Sequence, residues 1–292
     1  MSGRSAPGIP AATSTSHASV GTPRVHLRRT DSTNSRAREL AMAGAPHGTL
    51  VSAGEQTAGR GRQGRRWSAP AGSAVLMSVL VRDPPPLLPL LAAVAVCDVV
   101  GEHAHIKWPN DVVVQVGGAG TAGGTAADKE AAAGKAAAGE AAAGVAPDGD
   151  PDTPLAKLAG ILVEGRPQDG WAVLGIGLNV AVRLDELPGE LRTGSEGRLP
   201  AATLGLSTAD VEPTLAALTQ ALSRRLVQAP ETTLAAWRAR DALRGREIAW
   251  LDGRGRAEGI DGTGRLVVAL AGGGRTTLGA GEVHLREIGE RR

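Results

Sequence analysis

The 292-residue sequence predicts an α/β (α+β) fold that ends in a small β-barrel. Three observations lead to this prediction. Between residues 23 and 240, runs with the pattern of strands are interspersed with runs of helical character. From Gly245 onwards, short apolar runs are separated by Gly and Asp turns. Hydrophobic residues make up 42% of the chain, so a sizeable core can form in one large domain or two smaller ones.

The N-terminal third is predicted to contain a tail, three strands and a helix. Residues 1–22 are rich in Ser, Ala, Pro and Gly without periodicity, and we expect a disordered tail. The run V-H-L-R from Val25 alternates as a strand does, and residues 32–43 form a helix opened by a Ser, Thr or Asn cap. The apolar runs 48–53 and 73–81 are the next two strands, of which the second is almost continuously apolar.

The middle of the chain is interrupted by a change of composition. Residues 87–102 are predicted to be a core helix, and the following H-I-K-W-P-N-D-V-V-V runs strand, turn, strand. Residues 117–150 are then dominated by Ala and Gly, with no apolar side chain larger than Ala up to residue 144. Such a segment can bury little surface, and we expect a flexible insert.

Regular patterns return after the insert. We predict strands over 155–165 and 171–180, a helical region over 210–240, and a barrel within a C-terminal domain over 241–292. The preceding domain, over 23–240, carries the insert.

Composition excludes several classes of protein. The formal net charge is only +2, from 32 basic and 30 acidic residues, which argues weakly at best for nucleic-acid binding. The single cysteine, Cys97, excludes an internal disulfide and fits a reducing compartment. The N-terminus lacks the apolar core of a signal peptide, and the longest apolar run is shorter than the ~20 residues that span a bilayer. We expect a cytoplasmic protein with no membrane association.

An arginine-glycine loop, A-G-R-G-R-Q-G-R-R-W at 58–67, is the first candidate binding element. It contains the spacing G-x-G-x-x-G, but the preceding strand ends too early, and Pro70 and Gly72 disfavour a following helix, so a Rossmann phosphate loop is not predicted. A Walker A loop is excluded because no Gly-Lys-Ser/Thr follows. Guanidinium groups bind phosphates and carboxylates through paired hydrogen bonds, and glycines let the backbone approach an anion closely. The loop therefore suits a small polyanion, such as a nucleoside triphosphate beside a carboxylate, although a solvated basic loop is the simpler interpretation.

Lys157 is the second candidate. It opens the otherwise apolar run K-L-A-G-I-L-V, where an ammonium group is costly unless it has an anionic partner. The alternative is a solvated strand end.

The arginine-glycine loop and four other motifs resemble those of the biotin protein ligases, which join biotin to a lysine of a carrier protein. The loop G-R-G-R-Q-G-R-R-W resembles the signature loop of that family. The other motifs occur in the family's order, and the resemblance covers about residues 24–290. They are T-D-S-T-N-S at 30–35, K-W-P-N-D-V at 107–112, K-L-A-G-I-L-V-E at 157–164 and G-I-G-L-N-V at 175–180.

The resemblance implies a mixed-sheet catalytic domain of the biotin/lipoate ligase type and a C-terminal SH3-like β-barrel. It implies that biotin attacks MgATP to give biotinyl-5′-AMP and pyrophosphate, and that a lysine of a biotin carboxyl carrier domain of an acyl-CoA carboxylase then displaces AMP. Biotin, ATP and the carrier domain are the expected partners, and Mg²⁺ is the expected cofactor. Some members of the family carry an N-terminal winged helix that represses transcription, but the residues before the Ser-Thr-Asn motif lack apolar periodicity, so we expect no DNA binding and no repressor activity.

The resemblance also implies roles for individual residues. Lys157 and Arg62 are implied as catalytic. Asp111 is implied on the Mg²⁺ side, without a firm metal assignment. The implied biotin contacts are Ser32, Thr33, Asn34, Gln56, Arg60, Gly61, Arg62 and Lys157. The implied ATP contacts are Arg62, Trp67, Lys107, Asn110 and Asn179.

One further departure from the family and two rival functions remain. The family usually has a short hairpin where this chain has the Ala/Gly insert, and the insert should loop out at modest entropic cost. A lipoate or octanoate ligase or transferase of the same fold is the first rival, which the complete arginine loop and K-W-P-N-D argue against. The second is a non-enzymatic nucleic-acid-binding protein, which the near-neutral charge and the absence of Phe and Tyr oppose.

Overall fold

The computed structural model describes residues 19–116, 153–195, 197–279 and 283–285. The predicted insert at 117–150 and residues 1–18 of the predicted tail lie outside these ranges. The predicted disordered tail is wrong at its C-terminal end, because residues 19–22 pack against the folded chain. Val20 is buried and its N–H donates to Ser223 Oγ at 3.0 Å, and Gly21 N–H donates to the carbonyl of Gly48 at 2.9 Å.

A seven-stranded mixed sheet forms the larger part of the molecule. Its strand order is β1-β2-β3-β7-β6-β5-β4; β1 and β2 are parallel, and every other neighbouring pair is antiparallel. The strands are β1 Arg24–Leu27, β2 Leu50–Ala53, β3 Ala74–Arg82, β4 His105–Lys107, β5 Asp111–Gln115, β6 Leu155–Arg166 and β7 Trp171–Asn179. The α/β fold with a mixed sheet is therefore confirmed.

Helices cover this sheet. They are α1 Thr33–Met42, α2 Leu88–Val100, α3 Gly189–Thr193, α4 Val211–Leu226 and α5 Pro230–Arg238. Helix α2 is apolar almost throughout and buries nine of its residues, because α4, α5 and the sheet surround it. Helix α1 connects the parallel strands β1 and β2 and packs on β3 and β7. The cavity described below lies beside the N-terminus of α1.

A five-stranded antiparallel sheet follows, with the order β11-β10-β9-β8-β12. Its strands are β8 Glu247–Trp250, β9 Gly253–Ile260, β10 Leu266–Ala269, β11 Arg275–Leu278 and β12 His284–Leu285. They are short and follow Gly/Asp turns, as the sequence predicts. Their buried residues join the same hydrophobic core as the larger sheet.

A buried carboxylate lies where the two sheets meet. Ile106 of β4 pairs in parallel with Asp241, so the edge of the larger sheet is bonded to the segment that leads into the smaller one. Asp241 Oδ1 accepts a hydrogen bond from the N–H of Leu243 at 2.9 Å, whereas Oδ2 is buried and has no hydrogen-bond partner among the described residues. Burial raises the pKa of Asp241 to about 6 from 3.8, against the lowering effect of the backbone N–H groups.

Asp241→Asn is therefore expected to stabilise the protein at pH 8 by about 1–3 kcal/mol. A carboxyl group whose pKa is raised on folding destabilises the folded state. The destabilisation is complete at pH values above the pKa in the folded state and absent at pH values below the pKa in the unfolded state. The gain should thus be smaller at pH 5 than at pH 8. Urea denaturation at the two pH values measures it, with the exposed Asp252→Asn as the matched control. A gain that does not depend on pH would contradict this account of Asp241.

Candidate active site

One cavity brings together every site residue that the sequence predicts. It lies against the larger sheet, between the start of α1, the arginine-glycine loop and the strands β4 to β7. The predicted residues that line it are Ser32, Thr33, Asn34, Gln56, Arg60, Gly61, Arg62, Trp67, Lys107, Asn110, Asp111, Lys157 and Asn179.

The arginine-glycine loop folds back on itself as a short hairpin. Gly61 N–H donates to the Arg65 carbonyl at 2.7 Å, and Trp67 N–H donates to the Gly59 carbonyl at 3.0 Å. A 3-10 turn at Arg62–Gly64 closes the hairpin. A side chain at Gly59 would place Cβ 2.4 Å from the Trp67 carbonyl oxygen, so glycine is required there by close approach of the two arms. No helix follows Gly64, which agrees with the rejection of a Rossmann loop.

Neutral polar groups form one end of the cavity. Gln56 Oε1 accepts hydrogen bonds from the N–H of Thr33 at 2.7 Å and from its hydroxyl at 3.1 Å. Ser78 of β3 lies 2.8 Å from the Thr33 hydroxyl and donates to Asn34 Oδ1 at 2.5 Å. Ser32 occupies the N-cap position of α1, but its hydroxyl makes no capping hydrogen bond. These groups present fixed donors and acceptors at the start of α1 that can recognise a neutral polar ligand group.

Gly175 of β7 makes room for this polar end. A Cβ atom at this position would lie 2.1 Å from Asn34 Oδ1, so any side chain would displace the amide. The same strand carries Gly177 two residues later, beneath the indole of Trp67. Alternate residues of a strand face the same side, so both glycines face the cavity. Because they have no side chains, they leave space for Asn34 and Trp67 along β7.

A β-bulge directs Lys157 into the other end of the cavity. Residues 157 and 160 of a regular strand would face opposite sides of the sheet, because side chains alternate. Val112 pairs with Ala159 but Val113 pairs with Lys157, so β6 has one extra residue opposite β5. The bulge puts Lys157 and Gly160 on the same face; a Cβ atom at Gly160 would lie 3.4 Å from Lys157 Nζ.

Lys157 has an anionic partner within the protein, which the sequence did not identify. Its Nζ lies 2.7 Å from Asp111 Oδ1 and 5.7 Å from the centre of the Trp67 ring. The contact is a close ion pair that holds the ammonium group in the cavity. An ammonium group has three N–H donors, so a substrate anion can share it with Asp111.

Positive charge accumulates around this pair. The described lining includes Arg60, Arg62, Arg65, Arg66, Lys107, Lys157 and Arg198, against the single carboxylate of Asp111. Burial lowers the pKa of Arg62, an effect that Asp111 partly offsets. Burial and the neighbouring Arg198 lower the pKa of Arg65. Crowded cations in a partly dehydrated cavity are destabilised, and a bound polyanion would relieve that repulsion.

Lys107, Asn110 and Asn179 are held by the backbone of other segments. The Lys107 ammonium is buried and donates to the Val283 carbonyl at 2.7 Å, next to β12 of the smaller sheet. Burial lowers the pKa of Lys107, and nearby cations lower it further, although Asp111 opposes this. Asn110 donates to the Ile161 carbonyl at 2.9 Å and accepts from Arg62 at 3.3 Å. Asn179 donates to the Ala202 carbonyl at 2.8 Å.

The indole of Trp67 packs against glycines of β6 and β7, between the polar end and the cationic end of the cavity. Its ring faces Gly160 and Gly177, where added Cβ atoms would approach to 3.0 Å and 2.4 Å. Its Nε1 is buried and has no hydrogen-bond partner within the described part of the chain. The resemblance implies an ATP contact for Trp67, and an indole at the end of a loop can also anchor the loop to the core. The structure shows the anchoring contact, since the indole joins the hairpin to β6 and β7.

Sequence reasoning missed two residues of this network. Ser78 orients Thr33 and Asn34, and Glu164 accepts from Asn34 Nδ2 at 2.8 Å and pairs with Arg60 at 2.9 Å. The signal for Glu164 was present, because a carboxylate interrupts the apolar strand I-L-V-E-G. Among the described residues no cluster of three or more His, Cys, Asp or Glu side chains is suited to a metal ion. No helix in the described ranges has the length and apolarity needed to span a membrane.

Comparisons with known proteins identify the family to which the chain is similar. The Biotin/lipoate A/B protein ligase family matches residues 26–129, and the biotin protein ligase C terminal domain matches residues 244–286. The bifunctional ligase/repressor of Bacillus spizizenii is 34% identical over 173 residues, which cover 55% of this chain but only 41% of that protein. The biotin–[acetyl-CoA-carboxylase] ligase of Mycobacterium tuberculosis is 32% identical over 285 residues, which cover 89% of this chain and 88% of that ligase.

A solved structure gives the same fold. The biotin protein ligase from Aquifex aeolicus in complex with biotin and ATP matches with a TM-score of 0.64 at 23% identity. The match covers 90% of this chain and 98% of that ligase, so both sheets of the molecule have counterparts in one known architecture.

Proposed function

Because the chain belongs to the biotin protein ligase family, we propose that it activates biotin with ATP and transfers it to a lysine of a biotin carboxyl carrier domain. One observation carries the proposal for this chain. A neutral polar end built by Asn34, Thr33 and Gln56 and a cationic end built around Lys157 and Arg62 belong to a single cavity. Biotin has the same division, with a neutral ureido ring at one end and a carboxylate at the other.

In the first step, an oxygen of the biotin carboxylate forms a bond to the α-phosphorus of ATP. The bond from that phosphorus to the bridging oxygen breaks, and pyrophosphate leaves with the electron pair. Two anions must approach each other, and the cations of the cavity offset their repulsion. Lys157 is the proposed central group, because its ammonium is held by charge to Asp111 and can be shared with an incoming carboxylate or phosphate.

The residues fit Mg²⁺ that arrives with the nucleotide better than a resident metal. Mg²⁺ commonly uses one or two carboxylates together with substrate phosphates. Asp111 supplies one carboxylate beside the cationic cluster, and no cluster of three acidic, His or Cys ligands occurs in the described residues. Asp111 is therefore the proposed protein ligand. When bound, Mg²⁺ would neutralise phosphate charge and orient the leaving pyrophosphate.

In the second step, the amine of the carrier lysine attacks the carbonyl carbon of the biotinyl-AMP anhydride. The carbon–oxygen bond to AMP breaks, an amide forms, and the amine loses its proton. The anhydride must be kept from water until the carrier arrives. The hairpin at 59–67 is suited to this, since Arg60, Gly61 and Arg62 line the cavity.

Transfer to a carrier domain tests the complete proposal. The purified protein, biotin, MgATP and a recombinant biotin carboxyl carrier domain should give a carrier whose mass increases by one biotinyl group. A carrier with its acceptor lysine changed to arginine is the control and should stay unmodified. Absence of labelling by a folded protein, tested with several carrier domains, would contradict the transfer step.

A further inference from the structure

A carboxylate outside the predicted set of site residues joins the two parts of the cavity. Glu164 lies on β6, two residues beyond Leu162, which lines the cavity, and its side chain is 28% exposed. Oε2 accepts a hydrogen bond from Asn34 Nδ2 at 2.8 Å, and Oε1 pairs with an Arg60 guanidinium nitrogen at 2.9 Å. One side chain thus binds the start of α1 and one arm of the arginine-glycine hairpin.

The charge of Glu164 determines which way the Asn34 amide points. An ionised carboxylate can only accept hydrogen bonds, so the amide must present its NH₂ group to Glu164. Its oxygen then faces Ser78, whose hydroxyl donates to Asn34 Oδ1 at 2.5 Å. The remaining N–H and the second lone pair of the oxygen are thereby fixed in direction. A flipped amide would place oxygen against oxygen at Glu164.

The second oxygen of Glu164 extends this control to the hairpin. The backbone of Arg60 forms a β-bridge with the backbone of Arg66 in the opposite arm of the hairpin. An interaction that holds Arg60 therefore also holds this arm. Neither partner of Glu164 is close to it in sequence; Asn34 precedes it by 130 residues. The carboxylate is therefore a tertiary link between two elements that approach the cavity from different sides.

We propose that Glu164 is a positioning residue for biotin recognition, which orients the Asn34 amide and holds the Arg60 arm of the hairpin over the same ligand. This inference rests on the proposed activation of biotin. Glu164 itself has no part in the reaction. Its loss should therefore weaken biotin binding far more than it slows the chemical step.

Glu164→Gln tests this with little change of volume. A glutamine offers one acceptor oxygen, so Asn34 and Arg60 can no longer both be satisfied. The KM for biotin in biotin-dependent pyrophosphate exchange should rise by about tenfold, with kcat changed by less than about threefold. The KM for ATP should stay within about twofold. Glu164→Asp, which keeps the charge on a shorter stem, should give a smaller rise in the KM for biotin.

The background variant Asn34→Ala separates positioning from general stability. If Glu164 acts through the amide, Glu164→Gln should raise the KM for biotin by less than about threefold in the Asn34→Ala protein. Glu258→Gln is the matched control, because Glu258 also pairs with an arginine, Arg275, but in the smaller sheet. It should leave both KM values unchanged.

The outcomes are distinguishable. A wild-type protein without biotin-dependent exchange would refute the proposed function. An active wild type with an unchanged KM for biotin in Glu164→Gln would refute the positioning role alone. Equal losses in kcat and in both substrate affinities, together with a lower melting temperature, would also refute it, because they would indicate a purely structural role.

Discussion

Replacing Lys157 with alanine is expected to lower kcat/KM for biotin-dependent pyrophosphate exchange by about 10²- to 10³-fold. The ammonium group faces the cavity only because the bulge in β6 shifts the alternation of side chains by one residue. It is the cation paired directly with Asp111, at 2.7 Å. Its loss removes charge stabilisation where two substrate anions must meet, and it leaves the Asp111 carboxylate to repel them.

The unpaired carboxylate requires its own control. Lys157→Met keeps the length of the side chain, and the double variant Lys157→Met with Asp111→Asn removes both charges of the pair. We expect the double variant to regain any stability lost in Lys157→Met, which is the readout of this control, because Asp111 is also the proposed Mg²⁺ ligand and its loss lowers activity by itself. Lys157→Met, which keeps Asp111, should remain at least about 10²-fold less active than the wild type. Activity of Lys157→Ala within about threefold of the wild type would contradict the central role of this lysine.

Gly177→Ala is expected to cause the second largest loss, about 10- to 100-fold in kcat/KM for ATP. The added Cβ atom would lie 2.4 Å from Cε2 of Trp67, so the indole must move off the floor of the cavity. Trp67 anchors the hairpin to the sheet, and its displacement would shift the arginines of that hairpin. The strain should also cost about 1–3 kcal/mol of unfolding free energy.

A matched control and a second-site change make this prediction specific. Gly262→Ala adds the same methyl group at a glycine with no atom within 4 Å of the new Cβ, and it should leave activity unchanged. In a Trp67→Leu background, Gly177→Ala should cost less than it does in the wild type, because the smaller side chain leaves room for the methyl group. Equal losses in the two backgrounds would show that the contact with Trp67 is not the cause.

The regular elements were largely predictable from sequence because their signals are local. The apolar run of α2 and the strands β3, β6 and β7 occur within a few residues of the predicted bounds. The arginine-glycine loop and the lysine at the start of an apolar strand indicate the cationic end by residue type alone. For Lys157 the physical argument indicated that a partly buried ammonium needs an anion, but it did not identify Asp111 as a partner.

The connections between elements were not predictable in the same way. The bulge in β6 arises from the pairing of β6 with β5. The whole Ala/Gly-rich segment lies between these two strands in the sequence. The bond from Lys107 to the Val283 carbonyl links residues 176 positions apart. The role of Glu164 depends on its contacts with the start of α1 and with the arginine-glycine hairpin, both of which are distant from it in sequence. Periodicity and motifs report local structure, and none of them encodes these tertiary neighbours.

Exchange of labelled pyrophosphate into ATP by the purified protein tests the central claim most directly, with biotin, lipoate or no acid added. It reports formation of an acyl-adenylate without a carrier protein. We predict exchange that requires both biotin and Mg²⁺ and that lipoate does not support. Exchange with lipoate but not biotin, or none with either acid in a protein shown to be folded, would contradict the proposal that this cavity activates biotin.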